Sequence, residues 1–320
     1  MIKSPKLTVV IPVYNGEAYI QRCLNSVLNQ SMTDIQIIVV DDGSHDKTVE
    51  SITRYEQQYP NLTIVRHPQN LGTGAARNTG LFLANGEFIS FLDADDWVDT
   101  NTYIEMITNL EKTNADIAIC GIRTEQSNSI LSSIRYSYPH SNLISSNFAL
   151  RLLCKTEMQD ALISPMVGNK VFRLEFLKSN AIRFPPRCHF EDDEFMFLAF
   201  CHANKVILVP QVYQHYFQHA SSAMHSFSTE NIDCLLQTFH NIKVSLSSAN
   251  CFSEHIEEYF AFLDRCLSSL LDTLFSCEQS VYVQRKYILY LFEGLLQSFG
   301  MQELLSYIDP SRIHRIWLRS

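Results

Sequence analysis

The sequence predicts an α/β fold, with a mainly parallel sheet flanked by helices and an all-helical appendage at the C-terminus. Three observations support this fold class. Short apolar, β-branched runs alternate with segments of helical spacing as far as Ile122, which is typical of strands covered by helices. From Thr229 onward, apolar residues recur at helical spacing without an intervening strand. The 320 residues, 46% hydrophobic and 18% charged, suffice for two domains with a sizeable core.

The first part of the chain is predicted to be a Rossmann-like nucleotide-binding half. Each apolar run ends in a turn signal, and an amphipathic segment follows; the first carries Ile20, Leu24 and Val27 on one face. The predicted strands are Leu7–Val13, Ile35–Val40, Leu62–Arg66, Phe88–Leu92 and Ile117–Ile122. The predicted helices are Ala18–Asn29, Lys47–Tyr59, Gly74–Ala84 and Thr102–Lys112. Because helices separate the strands, we expect most strands to run parallel.

Later elements are less regular. The Ser- and Asn-rich stretch Thr124–Ser146 predicts a mobile loop or a hairpin. Helices are predicted at Phe148–Cys154, Glu191–Ala203 and Val281–Phe299, the last ending at Gly300, and strands at Val206–Val209 and Val212–Phe217. An apolar stripe from Ile256 to Leu274 needs a partner surface, supplied by the catalytic domain or by a second subunit in a homo-oligomer. We therefore predict a domain at 1–228, divided into halves 1–123 and 124–228, and a helical region at 229–320.

Composition excludes several classes of protein. A net charge of -9 without a basic run argues against nucleic acid as a partner. The chain has neither a run of apolar residues long enough to cross a membrane nor the hydrophobic core of a secretion signal. Nine scattered cysteines without a Cys-x-x-Cys pair favour reduced thiols and a cytoplasmic location. The basic, amphipathic segment Arg312–Arg319 favours a docked terminal helix over a peripheral contact with the inner face of the plasma membrane.

The segment Phe91-Leu-Asp-Ala-Asp-Asp-Trp97 is the most informative stretch of the sequence. Burying unpaired carboxylates is costly, so its three acids should lie at the carboxyl end of the preceding strand, where open α/β sheets bind ligands. On extended backbone, Asp93 and Asp95 would project to the same side, roughly 7 Å apart. Two hard oxygen donors so placed can hold a divalent cation against a polyphosphate. The alternative is an acidic cap for the next helix.

Two further patterns follow predicted strands. The first strand ends in Pro12-Val-Tyr-Asn-Gly-Glu17, where the ring of Tyr14 offers a stacking surface for a planar base. The second ends in Asp41-Asp42-Gly43-Ser44, where a carboxylate can accept hydrogen bonds from a base or a ribose. Each pattern alone is also an ordinary turn or helix cap.

The segment Asn70-Leu-Gly-Thr-Gly-Ala-Ala-Arg-Asn-Thr-Gly80 has glycines that let backbone approach a ligand. Its Arg77 can face a phosphate or pair with a nearby acid. It follows a third strand and lacks a Gly-Lys-Ser/Thr ending, so both common phosphate-binding loops are disfavoured. Finally, Phe190-Glu-Asp-Asp-Glu-Phe195 opens a helix with acids, which suits either capping or a general base.

In this order along residues 7–225, the motifs resemble those of family 2 glycosyltransferases with the GT-A type fold. The matching pieces are Pro12–Asn15, Asp41–Asp46, Asn70–Gly72 with Ala76–Gly80, Asp93–Asp96, Asn169-Lys170 and Glu191-Asp192. The resemblance implies inverting transfer of a sugar from a nucleotide donor, usually a UDP-sugar, to a hydroxyl of a glycan or lipid-linked glycan. It further implies a bound Mn²⁺ or Mg²⁺ and a role in cell-surface polysaccharide biosynthesis.

The resemblance also assigns roles to residues. Asp192 would be the base that deprotonates the acceptor, supported by Glu191. Asp95 would be the chief metal ligand, with Asp93 near the metal and the ribose. The residues expected to bind the donor nucleotide are Pro12, Tyr14, Asn15, Glu17, Asp41, Asp42, Asn70, Gly72, Arg77, Asp93 and Ala94.

The segment Tyr213–Ser222 departs from the family pattern, because Phe217 stands where an arginine is expected. Lys170, His215, His219 and Ser222 are therefore the candidates for contact with the diphosphate. A His-x-x-x-His metal pair is rejected, since no cysteine or acid completes a zinc site. The chain lacks the Gln-x-x-Arg-Trp motif of processive members, so it should add one or a few sugars. Two alternatives are a nucleotidyltransferase and a non-catalytic sugar-nucleotide-binding subunit.

Overall fold

The computed structural model describes residues 4–127, 132–155, 162–186, 190–219, 227–277 and 280–307. Its architecture is a central sheet covered by helices, followed by a group of C-terminal helices, as the sequence predicts. Ser222 and the basic segment Arg312–Arg319 lie outside the described residues.

The first half of the sheet follows the predicted alternation closely. Its strands are β1 (Leu7–Val13), β2 (Ile35–Asp41), β3 (Leu62–Arg66) and β4 (Phe88–Phe91). Its helices are α1 (Ile20–Leu28), α2 (Thr48–Gln58) and α3 (Thr73–Leu83). The four strands are parallel in the order β3-β2-β1-β4, with Val10 of β1 opposite Ile38 and Phe91. Parallel pairing brings the carboxyl ends of β1, β2 and β4 to one edge.

The second half of the sheet mixes directions. Its elements are β5 (Trp97–Val98), α4 (Thr102–Thr113), β6 (Ile117–Gln126), β7 (Ser133–Tyr136), β8 (Asn142–Ser145), α5 (Ser146–Cys154), β9 (Lys170–Arg173), α6 (Leu174–Ser179), α7 (Glu191–His202) and β10 (Lys205–Gln218). Strand β9 runs antiparallel between β4 and β6, and β10 runs parallel to β6. In the sheet, β9 therefore separates two groups of parallel strands, β3-β2-β1-β4 and β6-β10, and runs opposite to both.

One prediction for this half needs correction, and another had two alternatives that the structure distinguishes. The runs Val206–Val209 and Val212–Phe217 form one strand whose pairing with β6 is irregular between Leu208 and Gln214. Pro210 lies at this irregularity, where a residue without an N–H is tolerated. For the stretch Thr124–Ser146, the hairpin alternative is the one observed, because β7 pairs antiparallel with β6, and β8 pairs with β10.

The C-terminal helices are α8 (Thr229–Ser248), α9 (Ile256–Ser276), α10 (Val281–Phe299) and α11 (Met301–Tyr307). Gly300 follows α10 with φ of +74°, a conformation that suits the predicted glycine cap. The stripe on α9 finds its partner within the chain, on α5, α8 and α11; Leu263, Leu267 and Leu274 are buried there, whereas Ile256 and Leu271 are partly buried. No helix in the described part of the chain is long and apolar enough to cross a membrane.

One hydrophobic core joins the sheet to the C-terminal helices. It extends from Ile119 of β6 and Phe172 of β9 through α5 and α7 to Phe262 and Leu295. A second core, on the other face of the sheet, is made by α1 and α4. The predicted division at residue 228 therefore crosses a continuous apolar core, and it stays a prediction.

Candidate active site

The loops after β1 and β2 are held together by polar contacts. The backbone N–H of Asn15 donates to Ser44 Oγ (2.9 Å), and Asn15 Oδ1 accepts from the N–H of His45 (2.9 Å). Glu17 Oε2 accepts from the N–H of Lys47 (2.7 Å). The predicted donor-binding residues Asn15 and Glu17 therefore fasten one loop to the other. Next to them, Pro12 is buried in β1, whereas Tyr14 is 46% exposed.

Asp41 and Asp42 follow β2, and the structure gives them different surroundings. Asp41 is fully buried; its Oδ1 accepts from the N–H of Ser44 (3.2 Å). Its Oδ2 lies 3.1 Å from Arg66 Nε but has no hydrogen-bond partner of acceptable geometry within the described residues. Asp41 thus keeps one buried acceptor oxygen available at the ends of the strands.

Asp42 instead supports the neighbouring loop. Its carboxylate accepts from His67 Nδ1 (2.6 Å) and from the backbone N–H groups of Leu71 (2.9 Å) and Gly72 (2.8 Å). Gly72 has φ of +95°, which favours glycine, and exposed Asn70 also accepts from its N–H (3.1 Å). The prediction that Asp42 contacts the donor does not agree with this pairing, because the carboxylate is only 3% exposed and already holds three donors.

The residues 93–96 form an acidic turn between β4 and β5. The N–H of Asp96 donates to the carbonyl of Asp93 (3.0 Å), so the expectation that Asp93 and Asp95 lie on extended backbone is wrong. The turn still leaves their side chains accessible, at 33% and 32% exposure, with half-buried Ala94 between them. The acids do lie at the carboxyl end of β4, as predicted.

Asp96 is the residue of this turn whose role the sequence did not reveal. It is fully buried and accepts from Gln214 Nε2 (2.7 Å) and from the N–H of Phe217 (2.9 Å). Burial, and then the charges of Asp93 and Asp95, raise the pKa of Asp96 well above its usual range. The third acid of the motif therefore anchors the turn to β10.

Arg77 joins the acidic turn to the start of α7. Its guanidinium is 3% exposed and donates through Nη2 to Asp93 Oδ1 (2.8 Å), and through Nη1 to Asp192 Oδ1 (2.7 Å) and Glu191 Oε1 (3.2 Å). Burial alone would lower the pKa of Arg77, but the three carboxylates, with Asp192 foremost, raise it. Of the two predicted uses of Arg77, pairing with acids is the one observed.

A glycine explains why Arg77 reaches so deep a position. Helix α3 lies directly against β1, and a Cβ on Gly80 would stand 2.2 Å from Val10 Cγ1. Glycine at this position thus permits the close approach of helix and strand. The glycines of the Asn70–Gly80 segment therefore shape the backbone so that Arg77 faces the acids.

The first turn of α7 carries Glu191 and Asp192, whose side chains are 16% and 20% exposed. Asp192 accepts from Arg77 and from the N–H of Val167 (3.3 Å). Burial raises the pKa of Asp192 to about 7, against the opposing charge of Arg77. Burial likewise raises the pKa of Glu191. Asp192 therefore titrates close to neutral pH, which suits a group that accepts a proton.

Two of the residues predicted to contact the diphosphate, Lys170 and His215, have other partners in the structure. Lys170 is fully buried, and its ammonium donates to the carbonyls of Ser164 (2.8 Å) and Met166 and to Asn169 Oδ1 (2.7 Å). Burial lowers the pKa of Lys170 to about 7. This ammonium organises the loop before β9 and does not face a cleft.

The ring of His215 is engaged on both nitrogens, by Glu125 (2.8 Å) and Asp99 (3.1 Å), and it stacks on Trp97. His219 agrees better with the prediction. Its Nε2 lies 3.0 Å from Asp95 Oδ2, and its ring stacks on Tyr19 at 4.5 Å. It is therefore the imidazole that touches the acidic turn.

The sheet, with the acidic turn and α7 beside it, has the architecture of a GT-A type fold. The family model for glycosyl transferase family 2 matches residues 8–172, slightly more than half of the chain. The chain belongs to this family, and it is a glycosyltransferase. This decides against both a nucleotidyltransferase and a non-catalytic subunit.

Similar proteins support the same family. Glycosyltransferase EpsH of Bacillus subtilis (strain 168) is 29% identical over 271 residues, covering 82% of this chain and 75% of that protein. The poly(ribitol-phosphate) beta-glucosyltransferase of Bacillus spizizenii is 30% identical over 217 residues, 66% of this chain but 32% of that longer protein. The crystal structure of S. aureus TarS 1-349 in complex with UDP-GlcNAc has the same fold, with a TM-score of 0.73 and 24% identity, over 92% of this chain and 81% of that chain.

Proposed function

We propose that this glycosyltransferase is metal-dependent and inverting, and that it moves a sugar from a UDP-sugar to a hydroxyl of a glycan or lipid-linked glycan. One observation carries the proposal: Arg77 binds Asp93 of the acidic turn and Asp192 of α7 with the two ends of one guanidinium. A carboxylate suited to a metal–diphosphate and one suited to a base are thereby held side by side. Both are needed in a single-displacement transfer.

The donor nucleoside is assigned to the loops after β1 and β2. The exposed ring of Tyr14 supports stacking of a base. Oδ2 of buried Asp41 is ion-paired with Arg66 but accepts no hydrogen bond within the described residues, which supports recognition of an N–H or O–H donor, because a ligand can supply the missing hydrogen bond. Uracil carries such an N–H.

The acidic turn fits a divalent cation by the chemistry of its donors. Carboxylate oxygens are the ligands that Mg²⁺ and Mn²⁺ prefer, and these ions are often held by one or two carboxylates together with substrate phosphates. Asp93 and Asp95 each give one oxygen to a basic side chain, and about a third of each side chain stays exposed. When bound, such an ion neutralises charge that develops on the leaving diphosphate. Asp95 and Asp93 would hold it.

Asp192 is assigned the role of general base. Its carboxylate takes the proton of the acceptor hydroxyl while that oxygen forms a bond to the anomeric carbon. The bond from this carbon to the diphosphate oxygen breaks, and UDP leaves with the bonding electrons. A single displacement inverts the anomeric centre. Arg77, which Glu191 also binds, holds the base in place, and a pKa of about 7 for Asp192 supports proton transfer near neutral pH.

We assign the binding of the acceptor to the second half of the sheet. We assign the enzyme to cell-surface polysaccharide synthesis. The name of the B. spizizenii relative, a poly(ribitol-phosphate) beta-glucosyltransferase, supports a polymeric cell-wall acceptor, and the UDP-GlcNAc bound by TarS supports a UDP-sugar donor.

Exposed apolar side chains on α10 and α11 support contact with a second copy of the chain; they include Tyr282, Leu289 and Leu305.

The test is titration of UDP with and without MnCl₂, followed by assay of UDP release from a panel of UDP-sugars. We expect wild type to bind UDP more tightly with Mn²⁺ and to release UDP slowly from its donor. Asp95→Ala should lose at least tenfold in Mn²⁺-dependent affinity while its melting temperature is retained. Asp233→Ala, which removes an acid on α8 that pairs with Tyr290, is the control and should behave as wild type.

Three results would contradict the proposal. Unchanged Mn²⁺ dependence in Asp95→Ala would show that the metal is assigned to the wrong residue. Release of UDP from none of the UDP-sugars by wild type would show that the donor is wrong. Retention of configuration at the anomeric carbon of the product, measured by NMR, would exclude direct displacement.

A further inference from the structure

Arg22 of α1 lies against the acidic turn, although no motif of the sequence marks it. Its Nη2 donates to the carbonyl of Asp95 (2.8 Å). Its guanidinium stacks over the rings of Trp97 (3.8 Å) and Phe217 (4.2 Å), so the strands β5 and β10 fix its position. A planar cation held by two aromatic rings and a hydrogen bond is strongly restricted in orientation.

The acidic turn requires more positive charge than its side-chain partners supply. Asp93 pairs with Arg77 and Asp95 with His219, which is charged only when protonated. The two partners of buried Asp96, an amide of Gln214 and a backbone N–H, are neutral. Three carboxylates within four residues repel one another, and repulsion is strongest where water is partly excluded. Arg22 is a permanent cation placed at this cluster.

The guanidinium of Arg22 is not fully satisfied within the described residues. Its Nε is buried and has no hydrogen-bond partner. A residue kept only for packing would not need a partly buried charge at this place, since an apolar side chain could fill the same space beside the two rings. The arrangement therefore indicates an electrostatic role for Arg22.

We propose that Arg22 is a positioning residue for donor binding, which holds the turn 93–96 through the Asp95 carbonyl and offsets its negative charge. The inference rests on the proposed function, because it concerns how Asp95 meets the metal–diphosphate. Arg22 should therefore affect the affinity for UDP and the KM for the donor. The acceptor step, assigned to Asp192 on α7, should change little.

The contact with Phe217 supplies a rescue experiment. Because the ring of Phe217 lies 4.2 Å from the guanidinium of Arg22, an arginine at 217 can place its own guanidinium in nearly the same position. The variants are Arg22→Gln, the double variant Arg22→Gln/Phe217→Arg, and Arg54→Gln, which changes an exposed arginine on α2 that pairs with Glu50. The measurements are the Kd of UDP with and without MnCl₂, the donor KM and kcat, and the melting temperature.

We expect Arg22→Gln to weaken Mn²⁺-dependent UDP binding about tenfold to a hundredfold, with kcat nearly unchanged, while Arg54→Gln matches wild type. The double variant should regain most of the lost affinity, and it also carries the test if Arg22→Gln folds poorly. A purely structural role would not be restored by a charge on another strand.

The inference is overturned if Arg22→Gln binds UDP with Mn²⁺ as well as wild type. It is also overturned if the folded double variant binds UDP no better than Arg22→Gln, or remains more than tenfold weaker than wild type when the single variant does not fold. Failure of the proposed function has a different signature, since wild type itself would then bind UDP without any dependence on Mn²⁺.

Discussion

The acidic turn and the first turn of α7 hold carboxylates in two different ways. In the turn, Asp93 and Asp95 are about one-third exposed, at 33% and 32%, and each is paired through one oxygen. At α7, the side chains of Glu191 and Asp192 are only 16% and 20% exposed, and burial raises the pKa of both. The more exposed oxygens suit a site that receives a cation, whereas the enclosed carboxylates suit proton transfer.

The supports of the two regions differ as well. The acidic turn is held by the ends of neighbouring strands of the sheet and by α1. Helix α7 is held by the C-terminal helices: Asn241 of α8 donates to Glu194 (3.1 Å), Cys266 of α9 lies 3.8 Å from Asp193 Oδ1, and Phe262 packs on Phe197. The C-terminal helices therefore form the wall behind the proposed base.

The largest expected effect comes from removing that wall. A chain that ends after Ser228 would expose the apolar faces of α5 and α7, and each large buried side chain lost from the contact contributes about 1.5–3 kcal/mol. We expect aggregation, measured by light scattering and by yield of soluble protein. Leu263→Ala is a milder form of the same change and should cost about 2–5 kcal/mol in urea unfolding. A soluble, fully active 1–228 fragment would show that the C-terminal helices are not needed to support α7.

Replacing the residue that joins the two regions should have the next largest effect. Arg77→Met leaves three carboxylates without their buried counter-charge, so we expect a loss of about 3–5 kcal/mol in the free energy of unfolding, together with loss of transfer. Urea denaturation measures the first quantity. Arg54→Met, at an exposed ion pair, should change stability by less than about 1 kcal/mol. If Arg77→Met were as stable as wild type, the ion pairs of Arg77 would make no net contribution to the free energy of unfolding.

The smallest effect is expected at the neighbouring acid. Burial raises the pKa of Asp193 to about 6, and its side chain faces Cys266 rather than Arg77. Asp193→Asn keeps the shape and loses one weak contact, worth about 1 kcal/mol, so single-turnover transfer should fall by no more than about tenfold. A larger loss of transfer in a folded Asp193→Asn protein would mean that proton transfer depends on both acids.

The loops to which we assign the donor could be located from the sequence because their residues follow strands directly. The predicted bounds of β1 and β3 agree with the structure, and the acids of the 93–96 segment lie at the strand end as expected. Sequence spacing could not reveal the turn at Asp93–Asp96, because a closing backbone hydrogen bond, not side-chain pattern, takes the segment out of extended geometry. It also could not reveal Arg22, which reaches the turn from another element.

The contacts of two side chains, Lys170 and His215, account for the remaining errors. Lys170 belongs to a family motif, yet three oxygens of its own loop bind its ammonium inside the protein. His215 was expected near a diphosphate, but Glu125 of β6 and Asp99 hold it. The partners of His215 lie far away in the chain, and those of Lys170 are mainly backbone carbonyls, which every residue type carries. Neither kind of partner leaves a local sequence pattern.

The measurement that tests the central claim most directly is the pH dependence of transfer in wild type and Asp192→Asn. A carboxylate base acts only when deprotonated, and burial raises the pKa of Asp192 to about 7. The kcat/KM of wild type should therefore rise with pH and level off above about 7. Asp192→Asn should transfer about a hundredfold to ten-thousandfold more slowly, without this rise, and still bind UDP with Mn²⁺ as wild type does. Near-normal transfer by Asp192→Asn would contradict the assignment of Asp192 as the base. If Asp193→Asn were inactive in the same assay, the base would be Asp193.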